Sequence, residues 1–495
     1  MLLKSLSGGL LLVGVAALTA CVPSDGEEAT EGDDRLSIAM LQPPRSGLSP
    51  FSDDAFKLSR WRTAETLVSL DADGLARPAL ATSWEQTDDR TWRFEVRDGV
   101  HFHDGAGLDA AAVVTALTAA AASTPVPRIL DGVDLEVTSP EAGVVEVRTG
   151  DTDPLLPQRL SSPQLSILSP AAYDGGPVDP VGTGTGPFEL VASNGTSGAT
   201  LDRFEDYWGE PAQVSGLDVA YVPDGTARAA ALRTGEADVV EAVPVGQAAQ
   251  VDPDLVHEVP MPRTNTLYLN TSEGPFADPA VRAAARQAVD RARLVADVYE
   301  GRADVAAGLL GPALPWAADL RAEPERTAPA RVDGVPITLG TFTDRAELPE
   351  VAVLVEQELE AAGFEVTQDV REYQYIEADA LDGAFDVFIL SRATVLDSGD
   401  PVAYLVSDFS CDGSFNISQF CDREVDRLLA EAGRTPAGEE RQAAIMRAEA
   451  AILARDAAVP LLHERVVQGE AAGVGGVARD PRERELVLAS TTLEP

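Results

Sequence analysis

Apolar and polar positions along the chain switch repeatedly between a period of two and a period near 3.6. Thr91–Arg97 alternates cleanly, with Trp92, Phe94 and Val96 on one face and Arg93, Glu95 and Arg97 on the other, so it predicts a half-buried strand closed by the turn Asp98-Gly99. Val144–Arg148, Leu217–Val222 and Ile337–Phe342 predict further strands. Phe385–Leu390 is mostly apolar, as a strand covered on both faces should be. Asp278 followed by Pro279 marks a helix start. Val281, Ala285, Ala288, Ala292 and Val295 then fall on one stripe of that helix. A second helix starts near Pro349, turns Val351, Leu354, Val355 and Leu359 inward, and stops at Gly363, with a strand at Phe364–Val366. Glu439–Asp456 predicts a third. Strands and helices that alternate in this way predict an α/β architecture.

The chain has 495 residues, room for two or three domain-sized units, and 45% of them are hydrophobic, enough for a sizeable core. Lys plus Arg is 38 against 81 for Asp plus Glu, a formal charge of −43. That balance excludes general nucleic-acid binding, which needs a basic face. It also disfavours electrostatic docking on anionic lipid. Lys4 and Lys57 are the only lysines, and neither sits in a Gly-Lys-Ser/Thr or Ser-x-x-Lys context, so phosphate loops and lysine-dependent acyl-enzymes are excluded.

Residues 1–20 read as a secretory signal: Lys4 supplies the positive start, and the apolar run Leu10–Leu18 is too short for a bilayer span. The run ends in Leu18-Thr19-Ala20-Cys21, which resembles the lipobox of bacterial lipoproteins. Cys21 is therefore expected to carry acyl chains, and residues 21–35 to form a lipidated acidic tether. Of the three cysteines, Cys411 and Cys421 remain. Export puts them in an oxidising compartment, and the turn-rich stretch between them predicts a disulfide, with two free thiols as the rival.

The chain lacks a Gly-x-Ser-x-Gly elbow and a His-Glu-x-x-His motif. His101 and His103 would share a face on a strand, but no third ligand lies nearby and Asp104-Gly105 reads as a turn, so no metal site is expected. Gly182-Thr183-Gly184-Thr185-Gly186 leads into a strand, whereas a nucleotide loop needs a helix there. Its glycines, Gly184 among them, still permit close backbone approach to a ligand. Asp397 follows the buried strand Phe385–Leu390, where open α/β sheets place their ligands. It either meets a cationic group or caps the next turn.

In order and spacing these segments resemble the solute-binding lipoproteins of peptide- and nickel-type ABC importers, extracellular solute-binding protein family 5. The resemblance runs through Glu65-Thr66-Leu67-Val68, Pro78–Glu85, Thr91–Gly105, Gly184-Thr185-Gly186-Pro187-Phe188, Leu267-Tyr268-Leu269-Asn270, Pro275–Arg282, Ser398-Gly399-Asp400-Pro401 and Val459-Pro460-Leu461-Leu462. It implies a two-lobed periplasmic-binding-protein-like fold (class II, cluster C) with an extra inserted subdomain. Lobe I is expected over 36–270 with an insertion at about 51–178, lobe II over 271–465, and a return to lobe I over 466–495. The implied crossovers are near Leu269–Thr271 and His463–Val467.

In peptide-binding members the aspartate at the position of Asp397 pairs with the ligand's α-ammonium, and that role is the one the resemblance implies here. Many members carry Trp where this chain has Thr394. Arg392 either meets a carboxylate or is a solvated strand-end charge, and the second reading is preferred. Ser49, in the loop Arg45–Pro50, is expected at the cleft by position. The implied function is capture of a short peptide by lobe closure and delivery to an ABC permease with cytoplasmic ATPases, by a lipid-tethered monomer that uses no cofactor and does no catalysis. Alternatives are a nickel chelate, haem, an oligosaccharide or an opine as solute, a peptide-sensing receptor, or a secreted hydrolase.

Overall fold

Two long strands, Val256–Leu269 and Ala458–Glu470, pair antiparallel and carry the chain between two lobes. They belong to a computed structural model that describes residues 34–395 and 398–494. The expectations for the signal, Cys21 and Asp397 lie outside the described residues. Among the described residues eleven strands form one sheet. Its order is Phe364–Arg371, Val335–Phe342, Val387–Ala393, Val256–Leu269, Ala458–Glu470, Val239–Val240, Arg35–Met40, Gly216–Tyr221, Gly198–Arg203 and Phe188–Ser193, and Ala303–Val305 pairs separately with Ala458–Glu470. The crossing strands are largely apolar at Leu267–Leu269 and Ala458–Leu462, where both join the lobe II core.

In lobe II, Val335–Phe342 runs parallel to both Phe364–Arg371 and Val387–Ala393. Helices Glu347–Ala361 and Tyr373–Leu381 make the crossovers that parallel pairing requires. Val351, Val355 and Leu359 are buried on the first helix, as its pattern predicts, whereas Leu354 is half-buried and Leu348, outside the expected stripe, is buried as well. The stripe expected from Val281 to Val295 is corrected: it belongs to two helices, Pro279–Ala288 and Arg291–Asp297. The side chain of Asp290 accepts from the Arg293 N–H, so it starts a second helix, and Ala292 ends up exposed.

The segment between the first strand of lobe I and Phe188–Ser193 has its own sheet, in the order Ala81–Asp88, Thr91–Val96, Val144–Thr149, Leu135–Glu141. Helix Ala110–Ala122 packs on it around Phe94, Phe102, Val113, Leu117 and Val147. This body meets lobe I where two glycines press on backbone. A Cβ on Gly184 would lie 1.9 Å from Thr63 O, and one on Gly186 would lie 1.8 Å from Arg62 O. The His103 N–H donates to Gly184 O (2.9 Å) and its Nε2 meets Gly186 O (2.9 Å). Partly buried Glu65 accepts from Thr185 Oγ1, Tyr207 Oη and Trp208 Nε1.

The inserted body also touches lobe II. A Cβ on Gly74 would lie 3.0 Å from Gly399 O, one on Gly399 would lie 2.6 Å from Leu70, and both glycines hold positive φ. In the C-terminal segment, Leu486 and Val487 join the cluster of Leu36, Ile38 and Phe188.

Candidate interlobe binding site

Parallel strands leave a crevice beyond their carboxyl ends, and here two lobes contribute such ends to one space. Arg35–Met40 leads into Leu41 and Gln42, Val239–Val240 into Glu241–Val245, and Val335–Phe342 into Arg345 and Glu347. All of these line a cavity of about 520 Å³, within the usual range for small-molecule sites. Met261 and Arg263 of one crossing strand and Glu464–Gln468 of the other line it too, as do Glu483 and Leu486 of the C-terminal segment. Two of the lining residues, Ala242 and Glu483, sit at φ of 52° and 59° without being glycine. Each such conformation costs on the order of 1 kcal/mol and persists where the surroundings hold it.

The cavity wall is rich in charge of both signs, and nearly all of it is internally matched. Arg228 gives its donors to the carbonyls of Val222 (2.7 Å), Pro223 (2.8 Å), Glu241 (3.1 Å) and Ala242 (2.8 Å). Arg60 pairs with Glu241 and donates to Glu483 O at 2.8 Å. Arg345 pairs with Glu464 at 2.9 Å, and Arg465 with Glu258 at 2.7 Å and with Asp304. Lys57 stands 3.5 Å from Asp54, whose carboxylate also accepts from the N–H groups of Arg45, Ser46 and Leu48. Among the described residues Arg263 and Glu347 are the exceptions on this wall, and of the two Arg263 is the cation. Its Nε is buried with no hydrogen-bond partner. Burial first, and then the like charge of Arg345, hold its pKa below the usual guanidinium value.

Arg392, Thr394, Ser49 and Gly184 do not line this cavity. Arg392 is corrected: it is not a solvated strand-end charge, because it donates from Nε (2.9 Å) and Nη2 (2.8 Å) to the buried Asp408. Gly184 is corrected as well, since the backbone it approaches is that of Thr63. Thr394 is buried and bonds Pro262 O through both its N–H (2.8 Å) and its hydroxyl (3.2 Å). Ser49 organises its own loop, accepting from the Phe51 N–H at 3.3 Å. Cys411 and Cys421 form a disulfide. The two histidines at 101 and 103 diverge, His101 being exposed and His103 buried.

Residues 76–416 match the family described as bacterial extracellular solute-binding proteins, family 5, middle region. The chain belongs to this family. Family 5 proteins are solute-binding components of ABC importers, and the two-lobed α/β architecture is theirs. The chain is 24% identical over 442 residues to the nickel-binding protein NikA of Staphylococcus aureus, covering 86% of this chain and 87% of that one. It is 27% identical over 460 residues to a probable di/tripeptide-binding protein of Pseudomonas aeruginosa, covering 80% and 84%. The structure of a nickel ABC transporter protein of Bacillus halodurans superposes with a TM-score of 0.79 at 23% identity, covering 93% of this chain and all of that one. Among the described residues, no helix of this family member is long and apolar enough to cross a membrane.

The cavity residues Arg263, Arg345, Glu464 and Glu241 carry no sequence motif. The signal that finds them is position: each follows, or lies within, a strand that reaches the cleft.

Proposed function

We propose that this family 5 protein captures short peptides between its lobes and passes them, chemically unchanged, to an ABC permease. The observation that carries the reading is the interlobe cavity. It lies where strand ends from both lobes converge, its volume suits a ligand of a few residues, and its wall offers main-chain groups beside both signs of charge. The similarity to a probable di/tripeptide-binding protein supports a peptide over other solutes. Asp397 is proposed to hold the peptide's ammonium. Cys21 is proposed to carry the lipid that keeps the protein, as a monomer, at the outer face of the cell membrane. Chemical conversion of the ligand is not part of this role.

Calorimetric titration with tripeptides and their N-acetyl forms tests the reading. Asp397→Ala should weaken free-amine peptides by about two to three orders of magnitude, the loss typical of breaking a buried ion pair, and leave N-acetyl peptides nearly unchanged. Equal losses for both would remove Asp397 from the role. The similarity to nickel-binding NikA favours one second reading, a metal chelate. Tight binding of nickel–histidine together with none of any peptide would establish it instead.

A further inference from the structure

We propose that Arg263 is the anion anchor of the cavity, a guanidinium kept without a protein partner so that a carboxylate of the solute completes it. The inference rests on the cavity being the solute site. It begins with the backbone. Along the paired crossing strands Pro260 lies opposite Arg465 and Thr264 opposite His463, so Met261, Pro262 and Arg263 together face the single residue Glu464. Such a bulge bends a strand and re-aims its side chains, and this one falls where the chain passes between the lobes. On the other flank Arg263 lies opposite Ala393, whose small side chain leaves room.

The electrostatics give the bulge its meaning. The charged groups that act most strongly on Arg263 are Arg345, Glu483, Glu464 and Arg128. Glu464 already accepts from Arg345 (2.9 Å) and Asn265 (2.9 Å), and Glu483 is engaged by Arg60 (3.7 Å). Among the described residues none of them supplies an acceptor to the buried Nε. A buried donor without an acceptor is costly, and a charged one more so. Its cavity neighbours Arg60, Arg228, Arg345 and Arg465 are all satisfied by the protein. The remaining fork has the planar, two-donor shape that suits a carboxylate, which a peptide presents at its C-terminus.

The test compares trialanine with trialanine amide on the wild-type protein and on Arg263→Gln. The acid should bind wild type much more tightly than the amide. Arg263→Gln should weaken the acid by about 100-fold and the amide little. Equal binding of acid and amide to wild type, or an acid preference that survives in Arg263→Gln, overturns the proposal. If neither peptide binds wild type, citrate and nickel–histidine replace them as carboxylate probes. Binding of either that is lost in Arg263→Gln keeps the anchor and discards the peptide reading, and binding indifferent to the substitution overturns the anchor. Thermal unfolding of the ligand-free protein decides independently of any probe. An unpartnered charge predicts that Arg263→Met raises the melting temperature, whereas a fall shows that the guanidinium serves the fold and overturns the proposal.

Discussion

Arg392 grips Asp408 through two guanidinium nitrogens, at 2.9 and 2.8 Å, beneath the ring of Phe415. Asp408 is fully buried and also accepts from Tyr268 Oη at 3.2 Å. Burial works against the charge on Arg392, and the Asp408 carboxylate more than restores it, so the guanidinium pKa is raised. Removing one member strands the other in a low-dielectric site. Arg392→Met should cost roughly 3 kcal/mol in urea unfolding, and Arg392→Met with Asp408→Leu should recover most of it. Because Arg392 does not line the cavity, the folded single variant should bind solute as wild type does. A binding defect without a stability defect would return Arg392 to the ligand.

The bond between Cys411 and Cys421 closes a short loop, ten residues apart in sequence. Inside it Asn416 donates to Ser410 O (3.1 Å) and Phe420 O (2.6 Å) and accepts from the Phe420 N–H (3.0 Å). Those bonds already hold the loop, so the bridge acts mainly on the unfolded chain. Replacing both cysteines with serine should lower stability by about 2.5 kcal/mol, measured as the urea midpoint with and without reductant. Reductant should leave the serine variant unmoved. A reductant effect of equal size on both proteins would place the sensitivity elsewhere.

The parts of the fold that were legible in the sequence are those where local and long-range preferences agree. Thr91–Val96 alternates because one face meets the core through Phe94, and Glu347–Ala361 carries its stripe because a sheet lies under it. The helix break at Val289 was hidden because alanines fit both sides of it and only the cap at Asp290 marks it. Most of the site was not legible. Arg60, Arg263 and Arg345 are ordinary arginines in ordinary local contexts, and what separates them is whether a distant carboxylate, Glu241 or Glu464, arrives to pair. The family motifs, by contrast, mark a joint. Glu65, His103 and Gly184-Thr185-Gly186 converge on one another and not on the cavity.

That joint yields a stability prediction with a steric cause. Gly186 has no room for a methyl, since its Cβ would sit 1.8 Å from Arg62 O, and Gly184 is nearly as tight against Thr63 O. Backbone cannot rotate away as a side chain can, so either glycine to alanine must push the inserted body off lobe I. Gly186→Ala should cost at least about 3 kcal/mol, the upper end for overpacking. Gly105→Ala, where a Cβ meets nothing within 4 Å but φ is +83°, should cost about 1 kcal/mol from backbone strain alone. Chemical denaturation of both variants checks the ranking, and equal losses would contradict the close-approach account.

Two buried histidines contribute to the acid limit of the fold. His103 and His463 are both depressed to about 4, in each case chiefly by burial. Thr264 gives its hydroxyl proton to Leu309 O at 2.8 Å, so the 2.9 Å contact with His463 Nδ1 must be donated by the ring, which fixes the neutral tautomer. For His103 the partner of Nε2 is a carbonyl, so Nε2 carries the proton and Nδ1 is left buried without a partner. With the folded pKa below the unfolded value, the unfolded chain binds more protons as pH falls. The stability from each ring is therefore fully present above about pH 6.5 and is lost on the way down to about 4, close to 3 kcal/mol per histidine. His463→Asn and His103→Gln keep the donated hydrogen bond and remove the titration. Urea unfolding between pH 4.5 and 7 should show each variant with a flatter acid limb, by up to about 1.4 kcal/mol per pH unit. Variant curves that run parallel to wild type across that window would mean that these rings stay uncharged in the unfolded chain too, or charge freely in the folded one, and the burial argument would fail with them.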